Sequence, residues 1–419
     1  MKFDVLVLGG GIIGVSVATH LQMRGRSVAL IDLKLPGSET SFGNAGLIQR
    51  EGVYPYGFPR DWSSLIRYAF NRSPEVRYHP GTILKLAPFL WKYWFNSHPS
   101  RHAEIARSYA TLIEHSVTEH HQMANAAGAS HLLRSEGWLK VFRTAKVQET
   151  ETKFAQKCQT EYGIRFEYVD AASLRHLEPN LDHSLIGALR YIESESVSDP
   201  GALVKSYANY FEQIGGRFFF GNANNLSEQW TLKTNEGQIQ ADSAVITLGP
   251  WSDTLLSRFG YRFPLAVKRG YHMHYEAKPE TKLIHPVLDI ENGYLITPMA
   301  KGIRLTTGAE FAKRDSKKTP VQLNIVEPIA RQLFPITKRL DEIPWMGCRP
   351  CTPDMLPVIG PAPKHPKLWF AFGHAHHGLT LGPVTGRLLA QMITGEELIT
   401  NPSPFCASRF KHYRNRKRS

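Results

Sequence analysis

Apolar residues near the start of the chain form two short runs, separated by a segment with helical periodicity. Residues 4–8 are a continuous apolar run of the kind that a parallel strand carries when both of its faces are covered. Residues 14–24 are predicted to form a helix, and residues 27–31 the next strand. Because two parallel strands need a crossover connection, these elements predict a βαβ unit at the N-terminus.

Downstream, the pattern alternates between α/β segments and segments rich in strands. Residues 53–97 are rich in aromatic residues and proline, and a polar helical stretch follows at 101–127. The pattern further predicts strands at 137–142, 217–220, 245–249 and 368–372, a helix at 199–214, a hairpin around 235–237, β-rich runs within 262–342 and a helix ending near 394. The predicted fold class is α/β, with a nucleotide-binding domain that a second, sheet-rich domain interrupts twice.

Length and composition fit this division. The 419 residues exceed what one hydrophobic core usually serves, and 42% hydrophobic with 21% charged residues is ordinary for a folded protein. The four cysteines do not make a disulfide scaffold and suit a reducing compartment. We find neither a signal peptide nor an apolar run long enough to span a bilayer, so the expected location is the cytoplasm.

The net charge of +13 asks for an explanation. Part of it lies in a C-terminal tail that we expect to be frayed, with Arg409, Lys411, Arg414, Arg416, Lys417 and Arg418. Nucleic-acid binding, attraction to an anionic membrane and a merely solvated tail are the three interpretations. Since no nucleic-acid-binding module accompanies the charge, we do not expect DNA or RNA as a partner.

The segment after the first strand fits the pattern G-x-G-x-x-G. Gly9 permits the tight turn, Gly11 lets a pyrophosphate approach the backbone, and Gly14 lets helix and strand pack closely, with Ile12 and Ile13 between them. The pyrophosphate then meets the N–H groups and the dipole at the helix N-terminus. This pattern predicts a bound dinucleotide.

An acidic residue ends the second strand. Asp32 lies where a carboxylate accepts hydrogen bonds from the adenosine ribose, and the alternative is a solvated acid at a strand end.

Three later segments favour FAD over NAD. Residues 39–46 offer hydroxyls, an amide and flexible backbone, residues 245–252 lead from a strand into a glycine turn, and residues 372–387 combine a glycine-rich loop with a helix start. The alternatives are a plain polar loop and a plain strand end. The residues expected to hold the cofactor in these segments are Ser41, Asn44, Ala45, Gly46, Gly249, Trp251, Gly378, Leu379 and Thr380.

In this order, these segments resemble the D-amino-acid oxidase-like family of flavoproteins, and within it the small-subunit type of bacterial D-amino-acid dehydrogenase. The resemblance is carried by residues 9–14 with Asp32, and by 39–46, 249–252, 268–271, 347–350, 357–360 and 372–386. It implies an FAD-binding Rossmann-type domain (1–52, 198–258 and 346–419) interleaved with a mixed-sheet α+β substrate domain (53–197 and 259–345).

The resemblance also implies a reaction. A hydride passes from the Cα of a D-amino acid to the flavin N5, the imine hydrolyses to a 2-oxo acid, and the electrons go to a quinone or another acceptor. Oxidation of hydroxyproline, glycine or a sarcosine-type imino acid is the alternative within the family. A non-catalytic or tRNA-associated flavoprotein is a second alternative, which only the basic tail favours.

By the same resemblance, Arg349 anchors the substrate carboxylate, for which a guanidinium is the best partner. The alternative is an ion pair of Arg349 with Asp354. Tyr271 and Tyr294 are placed over the substrate, or else pack as strand residues. Hydride transfer requires no side-chain base, so we nominate no acid–base pair.

Three histidines lie in the glycine-rich loop. His376 or His377 is expected near the flavin, and His377 is our choice. No carboxylate or cysteine accompanies them and His374, so we do not expect a metal. On the polar stretch, His115, His120 and His121 are expected to be solvated.

Cys348 and Cys351 spell C-x-x-C. Some sarcosine-oxidase relatives attach FAD through a cysteine in this neighbourhood, but the register to Asp354 differs by one position, so we expect non-covalent FAD.

Residues 82–95 combine lysines with aromatic residues. They are interpreted either as a buried substrate-domain helix or as a monotopic helix on an anionic membrane. Together with the basic charge, the resemblance favours peripheral contact with the inner membrane, where a respiratory quinone would be the electron acceptor.

Overall fold

The computed structural model describes residues 1–410. The strands are β1 (Lys2–Leu8), β2 (Val28–Asp32), β3 (Leu47–Ile48), β4 (Val76–Tyr78), β5 (Leu133–Arg134), β6 (Trp138–Phe142), β7 (Phe166–Asp170), β8 (Gly187–Tyr191), β9 (Glu195–Val197), β10 (Arg217–Phe220), β11 (Thr231–Thr234), β12 (Gly237–Ile246), β13 (Ala266–Ala277), β14 (Val287–Asp289), β15 (Tyr294–Met299), β16 (Gly302–Thr306), β17 (Ala309–Phe311), β18 (Ile336–Arg339), β19 (Trp345–Cys351), β20 (Val358–Pro361) and β21 (Leu368–Phe372). The helices are α1 (Ile12–Met23), α2 (Trp62–Ala69), α3 (Pro80–Asn96), α4 (Pro99–Ile113), α5 (Ser116–Ala126), α6 (Ala145–Tyr162), α7 (Ala171–Leu177), α8 (Pro200–Gln213), α9 (Ser252–Arg258), α10 (Val321–Leu333) and α11 (Gly382–Thr394).

The first sheet has the strand order β10-β2-β1-β12-β21-β20, with β11 paired to β12. The strands β10, β2, β1, β12 and β21 are parallel, and β20 closes the edge antiparallel to β21. Val5 and Val7 face one apolar layer and Leu6 and Leu8 the other, which confirms a strand covered on both faces. From β1 the chain continues to β2 and later β10 on one side, whereas β12 and β21 lie on the other side of β1. The order of the strands therefore reverses at β1, as in doubly wound nucleotide-binding folds.

Helix α1 is enclosed on one face of this sheet, where it packs against α8 and α11. A Cβ atom at Gly386 would lie 2.6 Å from the backbone oxygen of Ser16, so this glycine permits the close approach of α11 to α1. Helix α8 begins after Asp199, whose side chain accepts a hydrogen bond from Ala202 N, and Pro200 occupies the first turn as expected.

The second sheet is larger and mixed. Its order is β4-β17-β13-β16-β15-β14-β6-β8-β7, and β18 and β19 both pair with β13. A small third sheet, β3-β9-β5, joins the segment after β2 to residues 133–134 and 195–197. The α/β class with a parallel and a mixed sheet is therefore confirmed.

Two of the differences between the predicted and the observed elements concern the polar helical stretch and the division into domains. The polar helical stretch expected at 101–127 consists of two helices, α4 and α5, and both contribute buried residues to the apolar layer on α1. Strand β19 pairs with β13 over Ala266–His272, so the segment that begins at residue 346 contributes its first strand to the large sheet. The chain boundaries of the two domains stay a prediction.

The C-terminal tail lies mostly outside the described residues, which include only Arg409 of its predicted basic residues. Arg409 is not frayed: its Nε donates to Asp354 Oδ2 over 2.9 Å, and Nη2 donates to the carbonyl of Leu356 over 2.7 Å. Within residues 1–410, no helix is both long and apolar enough to cross a membrane.

Candidate active site

A cavity of about 1040 Å³ runs from the carboxyl ends of the parallel strands to the face of the large sheet. Residues directly after β1, β10, β12 and β21 line it, as does Asp32 at the end of β2. Strands β13 and β19 line its other end. The carboxyl ends of parallel strands around a reversal of strand order are where doubly wound folds bind ligands.

The glycine turn after β1 has the geometry that its sequence predicts. Gly9 has a φ of 117°, and a Cβ there would lie 2.7 Å from the backbone oxygen of Thr247. A Cβ at Gly14 would lie 1.8 Å from the oxygen of Gly9. Gly14 therefore serves helix–strand packing and does not line the cavity, whereas Gly9, Gly11, Ile12 and Ile13 do.

The carboxylate of Asp32 braces the turn and also lines the cavity. Its Oδ2 accepts from Gly10 N over 2.6 Å, and Oδ1 accepts from Lys34 N over 3.0 Å. Each oxygen of an ionised carboxylate has two acceptor positions, so room remains for a ligand hydroxyl.

The loop after β2 closes over the N-terminus of α1. Ser41 Oγ accepts a hydrogen bond from Ile12 N over 3.0 Å, and Asn44 Oδ1 accepts one from Gly46 N over 2.9 Å. Ser41, Asn44 and Ala45 line the cavity. Gly46 lies behind them with a φ of 77°, where a Cβ would lie 2.7 Å from Val197 O.

The glycine turn after β12 and the late loop line the cavity through Gly249, Trp251, Gly378 and Leu379. Thr380 is an exception, because its hydroxyl bridges the strand β3, donating to Leu47 O and accepting from Gln49 N, both over 3.2 Å. Thr380 thus holds the wall of the cavity in place and does not face into it.

The residues after β10 also line the cavity, although no pattern in the sequence predicts them. Asn222 and Asn224 follow that strand, beside the end of β2 where Asp32 lies. Asn224 Oδ1 is buried without a hydrogen-bond partner within the described chain, and so is the Thr306 hydroxyl farther along the cavity wall. Buried polar atoms without partners are costly, and a long polar ligand would satisfy both.

Arg349 lies at the other end of the cavity, on β19 opposite Lys268 of β13. Its Nη1 donates to the carbonyl of Gly308 over 3.3 Å, and among residues 1–410 it forms no ion pair. The alternative partner Asp354 is wrong, because Asp354 pairs with Arg409 over 2.9 Å. Burial lowers the pKa of the guanidinium, which stays charged at neutral pH.

The two tyrosines predicted over the substrate both have engaged hydroxyls. Tyr271 Oη donates to Glu310 Oε2 and accepts from Arg269 and from Thr319 N, over 2.8 to 2.9 Å. Since a phenol has one donor and two acceptor positions, this hydroxyl is saturated. The geometry gives the Tyr271 side chain a structural role, although the residue is among those that line the cavity.

Tyr294 also lines the cavity, and its Oη donates to Asp289 Oδ2 over 3.1 Å. Asp289 is fully buried and pairs with Arg143 over 3.0 Å. Tyr294 therefore forms part of the cavity wall, and its hydroxyl already donates to the carboxylate of Asp289.

The three histidines of the late loop point to different neighbours. His374 Nε2 lies 3.0 Å from Thr385 Oγ1, and His377 Nδ1 lies 2.8 Å from Tyr109 Oη. His376 lines the cavity and His377 does not, so the choice of His377 over His376 as the residue facing the cavity is wrong. Burial, with the charges of Arg349 and Lys268 adding to it, lowers the pKa of His376 well below its ordinary value of 6.5.

The remaining candidates lie away from the cavity. Cys348 and Cys351 are buried free thiols outside the cavity lining, and burial raises the pKa of Cys348 to about 11. In the described part of the chain, no group of three or more His, Cys, Asp or Glu is placed to hold a metal ion. His120 was expected to be solvated, and this is wrong. The side chain is buried, with Nε2 2.8 Å from Leu379 O.

A family model described as FAD dependent oxidoreductase matches residues 4–392, almost the whole chain. The chain belongs to this family. The protein is thus an FAD-dependent oxidoreductase, and the cavity at the carboxyl ends of its parallel strands suits the long cofactor that the family uses.

Relatives of this oxidoreductase support the assignment along its full length. It is 28% identical over 419 residues to a D-amino-acid oxidase of Bradyrhizobium diazoefficiens, covering 97% of this chain and 98% of the relative. It is 30% identical over 412 residues to a D-amino acid dehydrogenase of Granulibacter bethesdensis, covering 94% and 96%. Glycine oxidase from Geobacillus kaustophilus shares the fold, with a TM-score of 0.72, 23% identity and coverage of 97% and 99%.

Proposed function

We propose that this flavoprotein oxidises the Cα–N bond of a D-amino acid. The main support is the position of Arg349 at the end of the cavity remote from the dinucleotide turn. Its guanidinium has no acidic partner among residues 1–410. A part-buried cation without a counter-charge is costly, so this end of the cavity favours an anionic ligand. The α-carboxylate of an amino acid meets that requirement with bidentate geometry.

The residues that would hold FAD follow from the lining of the cavity. Gly9, Gly11 and the N-terminus of α1 would receive the pyrophosphate, because the backbone is accessible there and the helix dipole favours an anion. Asp32 would accept from the ribose hydroxyls, and Asn224 would satisfy its free oxygen on the adenosine. The absence of both C-x-x-C cysteines from the lining supports non-covalent binding.

FAD, when bound, supplies the hydride acceptor, and the imine product hydrolyses to a 2-oxo acid. The protein's part is to orient and to exclude water. Arg349 fixes the carboxylate and thereby the direction of Cα, while aromatic side chains such as Tyr93 and Phe311 enclose the same end of the cavity. His376, kept neutral by burial, adds no charge that would compete with Arg349 for the carboxylate.

The D-configuration rests on the relatives, whose names are D-amino-acid oxidase and D-amino acid dehydrogenase. The alternative substrates are glycine, sarcosine-type imino acids and hydroxyproline. The test is anaerobic reduction of the bound flavin by a panel of D- and L-amino acids and these compounds. The proposal expects bleaching by D-amino acids before L-amino acids. Bleaching by the imino acids alone would show that the substrates are imino acids and not D-amino acids. No bleaching by any compound would overturn the proposed oxidation of amino acids.

We further infer that helices α2 and α3 contact an anionic membrane surface. One side of each helix lines the cavity, through Leu65 on α2 and Leu90 on α3. Their other sides expose large apolar residues, namely Trp62 (79%), Ile66 (57%), Leu84 (80%), Trp91 (68%) and Phe95 (60%). Exposed lysines and an arginine accompany them, Arg67 on α2 and Lys85 and Lys92 on α3.

Apolar rows flanked by cations are typical of helices that lie in the interface of an anionic bilayer. Of the two alternatives for residues 82–95, burial of Phe89 and Tyr93 supports a substrate-domain helix, and exposure of Trp91 on the same helix supports the membrane proposal. Membrane contact would place the cavity beside a respiratory quinone or another lipid-soluble electron carrier.

A further inference from the structure

A second cation lines the cavity beside Arg349, and the proposed function does not use it. Lys268 is only 3% exposed, and its Nζ donates to Tyr93 Oη over 2.9 Å. The same ammonium lies 4.1 Å from the centre of the Tyr93 ring and 5.5 Å from that of Phe311. Among residues 1–410, no carboxylate lies within ion-pair distance of it.

Lys268 and Arg349 are neighbours across two strands. They are directly opposed in the antiparallel pair of β13 and β19. Opposed residues of such a pair project from the same face of the sheet, with Cβ atoms roughly 5 Å apart. Both side chains reach the cavity, and the charges of both act on His376.

Nearby acids do not neutralise this pair of cations. Glu75 lines the same cavity, but it pairs with Arg67 over 3.2 Å and accepts a hydrogen bond from Ser73. Glu310 is buried against Arg269 over 2.7 Å and does not line the cavity. The substrate end therefore carries two positive charges without acidic partners in the described chain.

Two like charges at a water-poor site need counter-charges from a ligand. An amino acid with a neutral side chain brings one carboxylate, which Arg349 takes, and leaves Lys268 without a partner. A dicarboxylic amino acid brings two, and with its amine neutral for hydride transfer its charge of −2 matches the two cations. Nζ has three donors and uses one on Tyr93, so two remain for a carboxylate.

We propose that Lys268 binds a second carboxylate of the substrate and so selects dicarboxylic amino acids of the aspartate and glutamate class. The inference rests on the proposed function, since Arg349 must hold the α-carboxylate for Lys268 to reach the side chain. Lys268 is in this account a specificity-determining residue. It takes no part in the transfer of the hydride.

The experiment compares acids with their amides of nearly equal shape. With the holoenzyme, an artificial electron acceptor and D-aspartate against D-asparagine, or D-glutamate against D-glutamine, we expect kcat/KM to favour the acids by about tenfold to a hundredfold, the factor for one hydrogen-bonded charge. Lys268→Met should remove this preference by lowering kcat/KM for the acids alone. Lys268→Arg should restore part of it, because the charge returns. Lys153→Met is the matched control, since Lys153 is exposed on α6, where it pairs with Glu149.

A structural role for Lys268, as a support for Tyr93, predicts another outcome. Lys268→Met would then lower kcat/KM for acids and amides by the same factor, and this result would overturn the inference. If the variant fails to fold, ligand binding to the wild-type holoenzyme, measured by changes in the flavin absorbance spectrum, still tests the inference. We expect succinate to bind at least about tenfold more tightly than its monoamide, and equal binding would overturn the inference.

The two proposals fail in different ways. If the amides reduce the flavin as fast as the acids, Lys268 does not select a second carboxylate, while the oxidation of D-amino acids stands. If no amino acid of the panel reduces the flavin, the proposed function fails and the inference fails with it.

Discussion

Arg349 lies so close over Gly270 that a Cβ atom at residue 270 would be 2.5 Å from both Nη1 and Nη2. No real Cβ contact is that short, so only glycine leaves room for the guanidinium in this place. Gly270 is directly opposed to Gly347 of β19, two residues before Arg349. The direction of the guanidinium is thus set by a missing side chain on the neighbouring strand.

Gly270→Ala should therefore displace Arg349 and weaken substrate binding. We expect KM for the amino acid to rise by about tenfold or more, as for loss of one charge-assisted hydrogen bond, with the FAD content of the purified protein unchanged. Steady-state kinetics beside flavin absorbance measures both. Gly81→Ala is the control, because nothing lies within 4 Å of a Cβ there. An unchanged KM in Gly270→Ala would contradict the placement of the substrate carboxylate.

Asp32→Asn tests the adenosine end of the cavity. The change keeps the shape of the side chain but removes the charge that accepts from Gly10 N and that, in the proposed function, would accept from a ribose hydroxyl. We expect Kd for FAD to rise about tenfold to a hundredfold, measured by titrating the apoprotein. Asp242→Asn, at an exposed site on β12, should leave Kd unchanged. Equal affinities of all three proteins would place the ribose elsewhere.

The buried histidines make the fold sensitive to acid. Burial lowers the pKa of His120 to about 4, and those of His20 and His374 to about 3. The unfolded chain binds protons on these groups below their ordinary pKa of 6.5, whereas the folded chain does not until the lowered values are reached. Their contribution to stability is therefore complete above pH 6.5 and is lost as the pH falls toward the folded pKa values.

We predict that His120→Gln reduces this dependence on pH. The slope of the free energy of unfolding between pH 6.5 and pH 4 should decrease by about 1.4 kcal/mol per pH unit, the value for one proton. Urea unfolding at several pH values gives the slope. The control is His131→Gln, the same substitution at an exposed site. The same slope in both variants would mean that His120 titrates normally in the folded protein.

Contact with a membrane is tested by the double variant Trp62→Ser, Trp91→Ser. Since each indole contributes roughly 1.5–3 kcal/mol when buried in an apolar medium, we expect binding to vesicles of anionic phospholipid to fall by at least about a hundredfold. Ile343→Ser, which removes another exposed apolar side chain (70%), should bind as the wild type does. A wild-type protein that does not sediment with the vesicles at low salt would contradict the membrane surface.

The dinucleotide turn was predictable because its requirements are local. A Cβ at Gly14 would meet Gly9 O, and Asp32 accepts from Gly10 N, so both contacts lie within one βαβ unit and the spacing along the chain carries the information. Asn224 was missed because it joins the site only through the pairing of β10 with β2, which brings distant segments together. No local pattern marks such a residue.

At the substrate end, the sequence of segment 268–271 already indicates which of its side chains share a face of the strand. Side chains alternate along a strand, so Lys268 and Gly270 share one face of β13 and Arg269 and Tyr271 the other. The hydrogen bond between Arg269 and Tyr271 shows that second face. The alternation could have directed attention from Tyr271 to Lys268. It could not have shown that Lys268 lacks an acid, which depends on the packing of α3 and β17 around it.

The exchange Arg349→Lys tests the central claim most directly, with KM for the D-amino acid and Kd for FAD measured on the same preparation. Lysine keeps the charge but loses the bidentate geometry. We predict that KM rises by roughly a hundredfold while Kd for FAD stays within about threefold of the wild-type value. Equal losses of substrate and FAD affinity, or an unchanged KM, would contradict the role of Arg349 as the anchor of the substrate carboxylate.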